Sequence, residues 1–126
     1  MWASSGVMPM KKKILVIEDD NLLRDYIKNV LEEDYDVLGA DNGKDGMSLA
    51  MLHNPDLIIL DLVMPHMSGY HFLSVLNEKK LKPRIIVLTG TQSSNRDVLD
   101  TSNILDIVQK PFTIKSFLQT IKSHIQ

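Results

Sequence analysis

The chain has 126 residues, of which 44% are hydrophobic and 24% charged, with a formal net charge of -2 and no cysteine. That length suits one domain, because two separate cores would each be small and marginal. Mixed charge argues against direct nucleic-acid binding, and the missing thiols exclude disulfides and thiolate chemistry while suiting a reducing compartment.

No apolar run approaches the roughly 18 residues needed to span a bilayer, so no membrane partner is expected. Residues 1–10, MWASSGVMPM, lack the basic start and apolar stretch of a signal peptide. Met8 and Met10 are each candidate starts. Residues 1–10 are therefore expected to be a disordered leader or cloning remnant, ahead of one domain over residues 11–126 of a cytoplasmic protein.

From Lys13 onward two kinds of segment alternate. Residues 14–17 form the first apolar, β-branched run, followed by helical spacing at Leu23, Ile27, Val30 and Leu31. Residues 36–38 form the second strand, and Met47 and Met51 then share one helix face. Residues 57–60 and 84–88 are the third and fourth strands, with a third helix between them that Ser68 can cap. Residues 92–103 are polar, with Val98 and Leu99 as the core candidates, so a fourth helix there is expected to be short or mobile; an ordinary exposed helix suits the pattern equally. Residues 104–108 are the fifth strand, and Ile114, Phe117, Leu118, Ile121 and Ile125 mark a fifth helix that Thr113 can cap.

Asp20 or Asn21 can cap the first helix, and Pro55, Pro65, Pro83 and Pro111 all fall between elements, where a missing N–H costs least. The pattern is an α/β fold, (βα)5, with continuously apolar strands suited to a parallel sheet buried under helices on both faces.

Ligands of open parallel sheets bind beyond the carboxyl ends of the strands. There the chain places Glu18, Asp19 and Asp20, then Asp61, then Thr89 and Gly90, then Lys110 and Pro111. Singly, these residues have ordinary readings: Asp20 as a cap, Asp61 as a turn-former, Thr89 as a strand residue, Lys110 as a solvated charge. Together they demand a cation, because clustered carboxylates repel. Mg²⁺, or Mn²⁺ in its place, takes oxygen ligands and needs few carboxylates when a phosphate completes the site. Asp19 and Asp61 are candidate direct ligands, with Glu18 close by or acting through water, and the Val63 backbone carbonyl as a further oxygen. Asp61 is then a nucleophile able to form an acyl phosphate, with Lys110 and the Thr89 hydroxyl meeting the phosphoryl oxygens and Gly90 leaving room.

ILVIEDD, LIILDLVMPHMSG, VLTG and QKPF, in this order and spacing, resemble the receiver domains of two-component response regulators, the CheY-like superfamily. The likeness runs from about Lys11 to Ile125. It implies a flavodoxin-like sheet of order 2-1-3-4-5, Asp61 as phosphoacceptor, and Glu18 and Asp19 as the acidic pair. It further implies Thr89 as switch hydroxyl, Lys110 as the family lysine, and a cis bond between Lys110 and Pro111. A sensor histidine kinase or histidine phosphotransfer protein would be the donor, docking near Leu22, Leu23, Pro111 and Phe112. An unspecified downstream protein would read the signal, and a weak homodimer through the fourth helix, fifth strand and fifth helix is compatible with the resemblance. The chain ends directly after the fifth helix, which reads as a stand-alone or excised receiver.

One departure concerns output. Receivers of this kind mostly carry an aromatic residue three positions before the lysine, and this chain has Ile107. Isoleucine lacks a ring to rotate and is stiff at χ1. Phosphorylation is then expected to act by ordering or shifting residues 90–103.

Three other readings fit less well. An aspartyl phosphatase often carries a second aspartate two residues after the first, and Val63 stands there, so self-catalysed phosphorylation and dephosphorylation should be slow at most. A flavin carrier would find its phosphate repelled by Glu18, Asp19 and Asp20. A scaffold that is never phosphorylated would have lost some of these groups. His53, His66, His71 and His124 form no pair at metal-binding helical spacing.

Overall fold

A computed structural model describes residues 10–64, 67–90 and 103–125. Among the described residues there are five strands: β1 (Lys13–Ile17), β2 (Asp36–Ala40), β3 (Leu57–Asp61), β4 (Ile85–Thr89) and β5 (Ile104–Gln109). All pair in parallel in the order β2-β1-β3-β4-β5. The described helices are α1 (Asn21–Leu31), α2 (Gly43–His53), α3 (Gly69–Glu78) and α4 (Ile114–His124). The flavodoxin-like order expected from the resemblance is therefore present. The anticipated helix within residues 92–103, apart from Asn103, and the leader expected over residues 1–10, apart from Met10, lie outside the described residues.

Alternation along each strand sorts the side chains into two cores. Leu15, Ile17, Ile58, Leu60, Ile85 and Val87 face α2 and α3, meeting Met47, Phe72 and Leu76. Ile14, Val16, Ile59, Ile86 and Leu88 face α1 and α4, meeting Ile27, Leu31, Phe117 and Ile121. Every residue of β3 and β4 is buried, which explains why these runs read as continuously apolar.

The helices begin where side chains answer their first N–H groups. Asp20 accepts from the N–H groups of Leu22 and Leu23, Ser68 from His71, and Thr113 from Ser116. Asn42 caps α2 in the same way through Asp45 N–H, a cap that the sequence pattern does not single out. At the other end of α2, Asn54 takes a left-handed conformation (φ 47°), which its short polar side chain tolerates.

β5 carries one irregularity. Ile104 pairs with Ile85, but Asp106 pairs with Ile86, so Leu105 is an extra residue in the ladder. The shift turns Asp106 toward the end of α4, where its carboxylate lies 3.2 Å from His124 Nε2. The His124 carbonyl in turn accepts from Arg84 Nη2 at 2.6 Å. The bond between Lys110 and Pro111 is cis, as the family likeness implies.

Gly69 holds α3 against the end of β3. A Cβ there would meet the Asp61 carbonyl oxygen and Leu62 Cα, both at 2.6 Å, and both are backbone atoms that cannot swing aside. Gly69→Ala should therefore cost about 1–3 kcal/mol, as overpacking does elsewhere. Urea unfolding measures it, and an unchanged midpoint would show that the loop yields without strain.

Candidate functional site

The sheet's own hydrogen bonds bring the site together. Glu18 follows β1 and extends the ladder by donating its N–H to the Ala40 carbonyl at 3.0 Å. Asp61 ends β3, Thr89 ends β4, and Lys110 follows β5 with its N–H donated to the Thr89 carbonyl at 2.7 Å. Because the strands are parallel and in register, all four residues meet at one carboxyl edge.

Their side chains converge. Lys110 Nζ lies 2.8 Å from Glu18 Oε1 and 3.2 Å from Asp61 Oδ2. Glu18 is fully buried and Asp61 and Thr89 are nearly so, whereas the Lys110 side chain keeps 28% exposure. The remaining oxygens are also answered: Glu18 Oε2 accepts the Asp20 N–H at 3.2 Å, and Asp61 Oδ1 accepts the Val63 N–H at 3.2 Å. Asp19 is exposed, yet one oxygen each from Glu18, Asp19 and Asp61 lie within 4.8 Å of one another. Two carboxylates meet the lysine and a third lies beside them, an oxygen set suited to a hard divalent ion.

Each predicted residue can be placed. Glu18, Asp19, Asp61 and Lys110 form the cluster just described. Thr89 sits beside it on the neighbouring strand, and its hydroxyl donates to the Gly90 carbonyl at 3.3 Å. At Gly90 an added Cβ would meet nothing within 4 Å among the described residues. Val63 is tied to Asp61 through its N–H, and its side chain is 66% exposed. Ile107 pairs with Val87 on β4 and packs, partly buried, against the core beneath α2 and α3. Asp20 is the α1 cap. Residues 91–102, where a response segment was expected, lie outside the described residues, as does His66.

Arg24 is a site residue that no motif announces. Its Nη1 donates to the Glu18 carbonyl at 2.8 Å and its Nη2 to Asn21 Oδ1 at 2.7 Å, pinning the turn that carries the acidic pair. A helix position six residues past Glu18 gives no spacing signal, and only the fold shows the contact.

Burial and charge work against Glu18. Desolvation, followed by the adjacent Asp61 carboxyl group, outweighs the Lys110 ion pair and the Asp20 N–H and pushes its pKa from 4.5 up to about 7. For Lys110, burial is the largest single influence and favours the neutral amine, but Glu18 and Asp61 together overcome it and raise its pKa. Between pH 4.5 and about 7, with no metal bound, the folded state thus holds a proton on Glu18 that the unfolded chain releases, and above that range the Lys110 ion pair is fully charged. That contribution to stability is complete below pH 4.5 and fades as pH rises towards about 7. Glu18→Gln should flatten this decline in chelator-treated protein, read by thermal unfolding at several pH values; an identical slope in both proteins would refute the assignment.

The model of the family described as "Response regulator receiver domain" matches residues 14–122. Among curated proteins, the chain is 37% identical over 119 residues to histidine kinase P4 of Formosa agariphila, covering 92% of this chain and 9% of that protein. It is 34% identical over 116 residues to the transcriptional regulatory protein PdtaR of Mycobacterium tuberculosis, covering 88% of this chain and 55% of the relative. The chain thus spans about half the length, or far less, of these curated relatives. Among solved structures, the response regulator TrrA of Thermotoga maritima, in complex with Mg²⁺-BeF, superposes with a TM-score of 0.77 at 32% identity, over 90% of this chain and 99% of that one. With the sheet order and the acidic edge already in place, these likenesses have one reading: the chain belongs to the response regulator receiver domain family.

Proposed function

We propose that this receiver takes a phosphoryl group on Asp61, and the observation that carries the reading is the double ion pair of Lys110 with Glu18 and Asp61. A carboxylate held between a lysine and an acidic pair, at the open edge of a parallel sheet, is placed for attack on phosphorus. An Asp61 oxygen forms the new P–O bond as the P–N bond of a phosphohistidine donor breaks, and the imidazole leaves with that electron pair. Lys110, already 3.2 Å from Asp61, meets the phosphoryl oxygens as a point charge. The Thr89 hydroxyl, one strand away, supplies a further donor beside the small Gly90. The Val63 N–H holds the other Asp61 oxygen and so fixes the carboxylate plane.

Glu18, Asp19 and Asp61 are the proposed ligands for Mg²⁺, or Mn²⁺, with the Val63 carbonyl as a further oxygen. A bound ion would offset the repulsion between the carboxylates and the incoming phosphoryl group. TrrA, a relative at 32% identity, was solved with Mg²⁺-BeF, which supports this reading.

A histidine kinase or histidine phosphotransfer protein is the proposed donor. It would dock on Leu22, 84% exposed at the start of α1, and on the exposed Pro111. Leu23 and Phe112 pack instead against the core beneath α1 and α4 and shape that surface from below. A downstream protein target, with no direct nucleic-acid contact, completes the proposed signalling role. Ile107 replaces an aromatic switch as a stiff, already packed side chain, which favours a response carried by other parts of this edge.

Incubation with acetyl phosphate and Mg²⁺, followed by intact-mass analysis, should add one phosphoryl group to the wild type and none to Asp61→Asn. A wild type that gains none, or a variant that gains it equally, would defeat the proposal. Lys110→Ala should lower the phosphorylation rate by about 10²–10³-fold, the usual loss when one charge-stabilising donor is removed. A rate within threefold of wild type would remove Lys110 from the chemistry.

A further inference from the structure

At the opposite end of the sheet lies a cavity that the phosphorylation chemistry does not use. It occupies about 320 Å³ between the C-terminal ends of α2 and α3 and is lined chiefly by Met51, Pro55, Leu76, Leu81, Lys82 and Pro83. Met51 is 56% exposed and Leu81 38%, so the apolar lining reaches the surface. Since α2 and α3 lead into the starts of β3 and β4, this cavity is about one strand length from the acidic edge, roughly 16 Å.

The charge in its lining is of one sign. Lys82 lines the cavity, and Lys79 and Lys80 lie on the exposed turn leading to it. None of the three forms an ion pair among the described residues. The nearest acids in sequence are Asp56, whose carboxylate already accepts the Lys13 N–H at 2.8 Å, and Glu78. Lys13 Nζ, 3.4 Å from the His53 carbonyl, answers the C-terminal dipole of α2. Lys82 lies beyond both helix ends and has no such task. Lys80 is also held at φ 57°, a left-handed conformation that glycine adopts at no steric cost.

The geometry points to this cavity as a docking site for an acidic segment of a partner protein, with one large apolar side chain seated between Met51, Leu76 and Leu81. An apolar pocket with Lys82 in its lining and Lys79 and Lys80 on the adjoining turn, none of them ion-paired among the described residues, selects that combination: the anchor supplies burial, and the lysines set orientation and rate of encounter. Placed across the sheet from Asp61, such a contact would hold the receiver to its partner whether or not the domain is phosphorylated.

The test uses a fluorescent octapeptide of aspartate and glutamate with one central phenylalanine, a second with serine replacing the phenylalanine, and a third with lysines replacing the acids. Amide shift mapping should show saturable changes confined to residues 50–55 and 76–83, with affinity at least tenfold weaker for the serine and lysine peptides. Met51→Glu and Lys82→Glu, both at exposed positions, should each weaken the first peptide tenfold while leaving thermal unfolding and acetyl phosphate labelling unchanged. Equal binding of all three peptides, shifts mapping to the acidic edge, or no saturation would overturn the proposal. So would concentration-dependent dimerisation that Met51→Glu abolishes, since a second copy of the chain would then be the occupant.

Discussion

The interaction on which the rest depends is the contact of one lysine with two buried carboxylates. Lys110 reaches Glu18 at 2.8 Å and Asp61 at 3.2 Å across residues separated by 92 and 49 positions in the chain. No local force brings such residues together. The sheet does so, and it accepts an electrostatic cost in return, visible in the raised pKa of Glu18. Buried charge of one sign, incompletely balanced, is a poor device for stability and a suitable one for holding a cation.

That cost is tolerable because the scaffold beneath is apolar on both sides. Ile14 to Ile17, Leu57 to Leu60 and Ile85 to Leu88 are all wholly buried, alternating between the α2–α3 core and the α1–α4 core. Burial of that extent supplies the favourable term that a charged edge lacks. It also fixes register, since a slip by one residue would exchange the two faces of a strand. Register in turn decides that Asp61 lies level with Leu88, one residue short of Thr89. Gly69 then closes α3 down upon Asp61 and Leu62, so the loop carrying Val63 is held from both sides.

β5 is the strand that departs from regularity. The extra residue Leu105 turns Asp106 toward His124 and sets Ile107 against the α2–α3 core. The strand is thereby coupled to the end of α4 on one face and to the position opposite Val87 on the other. A receiver with an aromatic at that position has a ring to turn, whereas this one has a branched aliphatic chain already packed.

Much was legible in the sequence. Parallel strands buried on both faces leave continuous β-branched runs, and Asp20, Ser68 and Thr113 announce helix starts because short polar side chains answer orphan N–H groups. The motif order then identified the edge residues, since ligands of such sheets lie at strand ends. Other features had no local signature. The Arg24 contact to the Glu18 carbonyl, the Asn42 cap, the bulge at Leu105 and the cavity between α2 and α3 arise from the meeting of segments far apart in the chain. The sequence by itself determined which residue types stand at the strand ends, because residue type and periodicity are local properties. Only the tertiary structure decided the distances among them, the charge imbalance at Glu18, and the presence of a cavity between α2 and α3. Desolvation and pair geometry depend on what the fold packs around a group, and no run of residues records that.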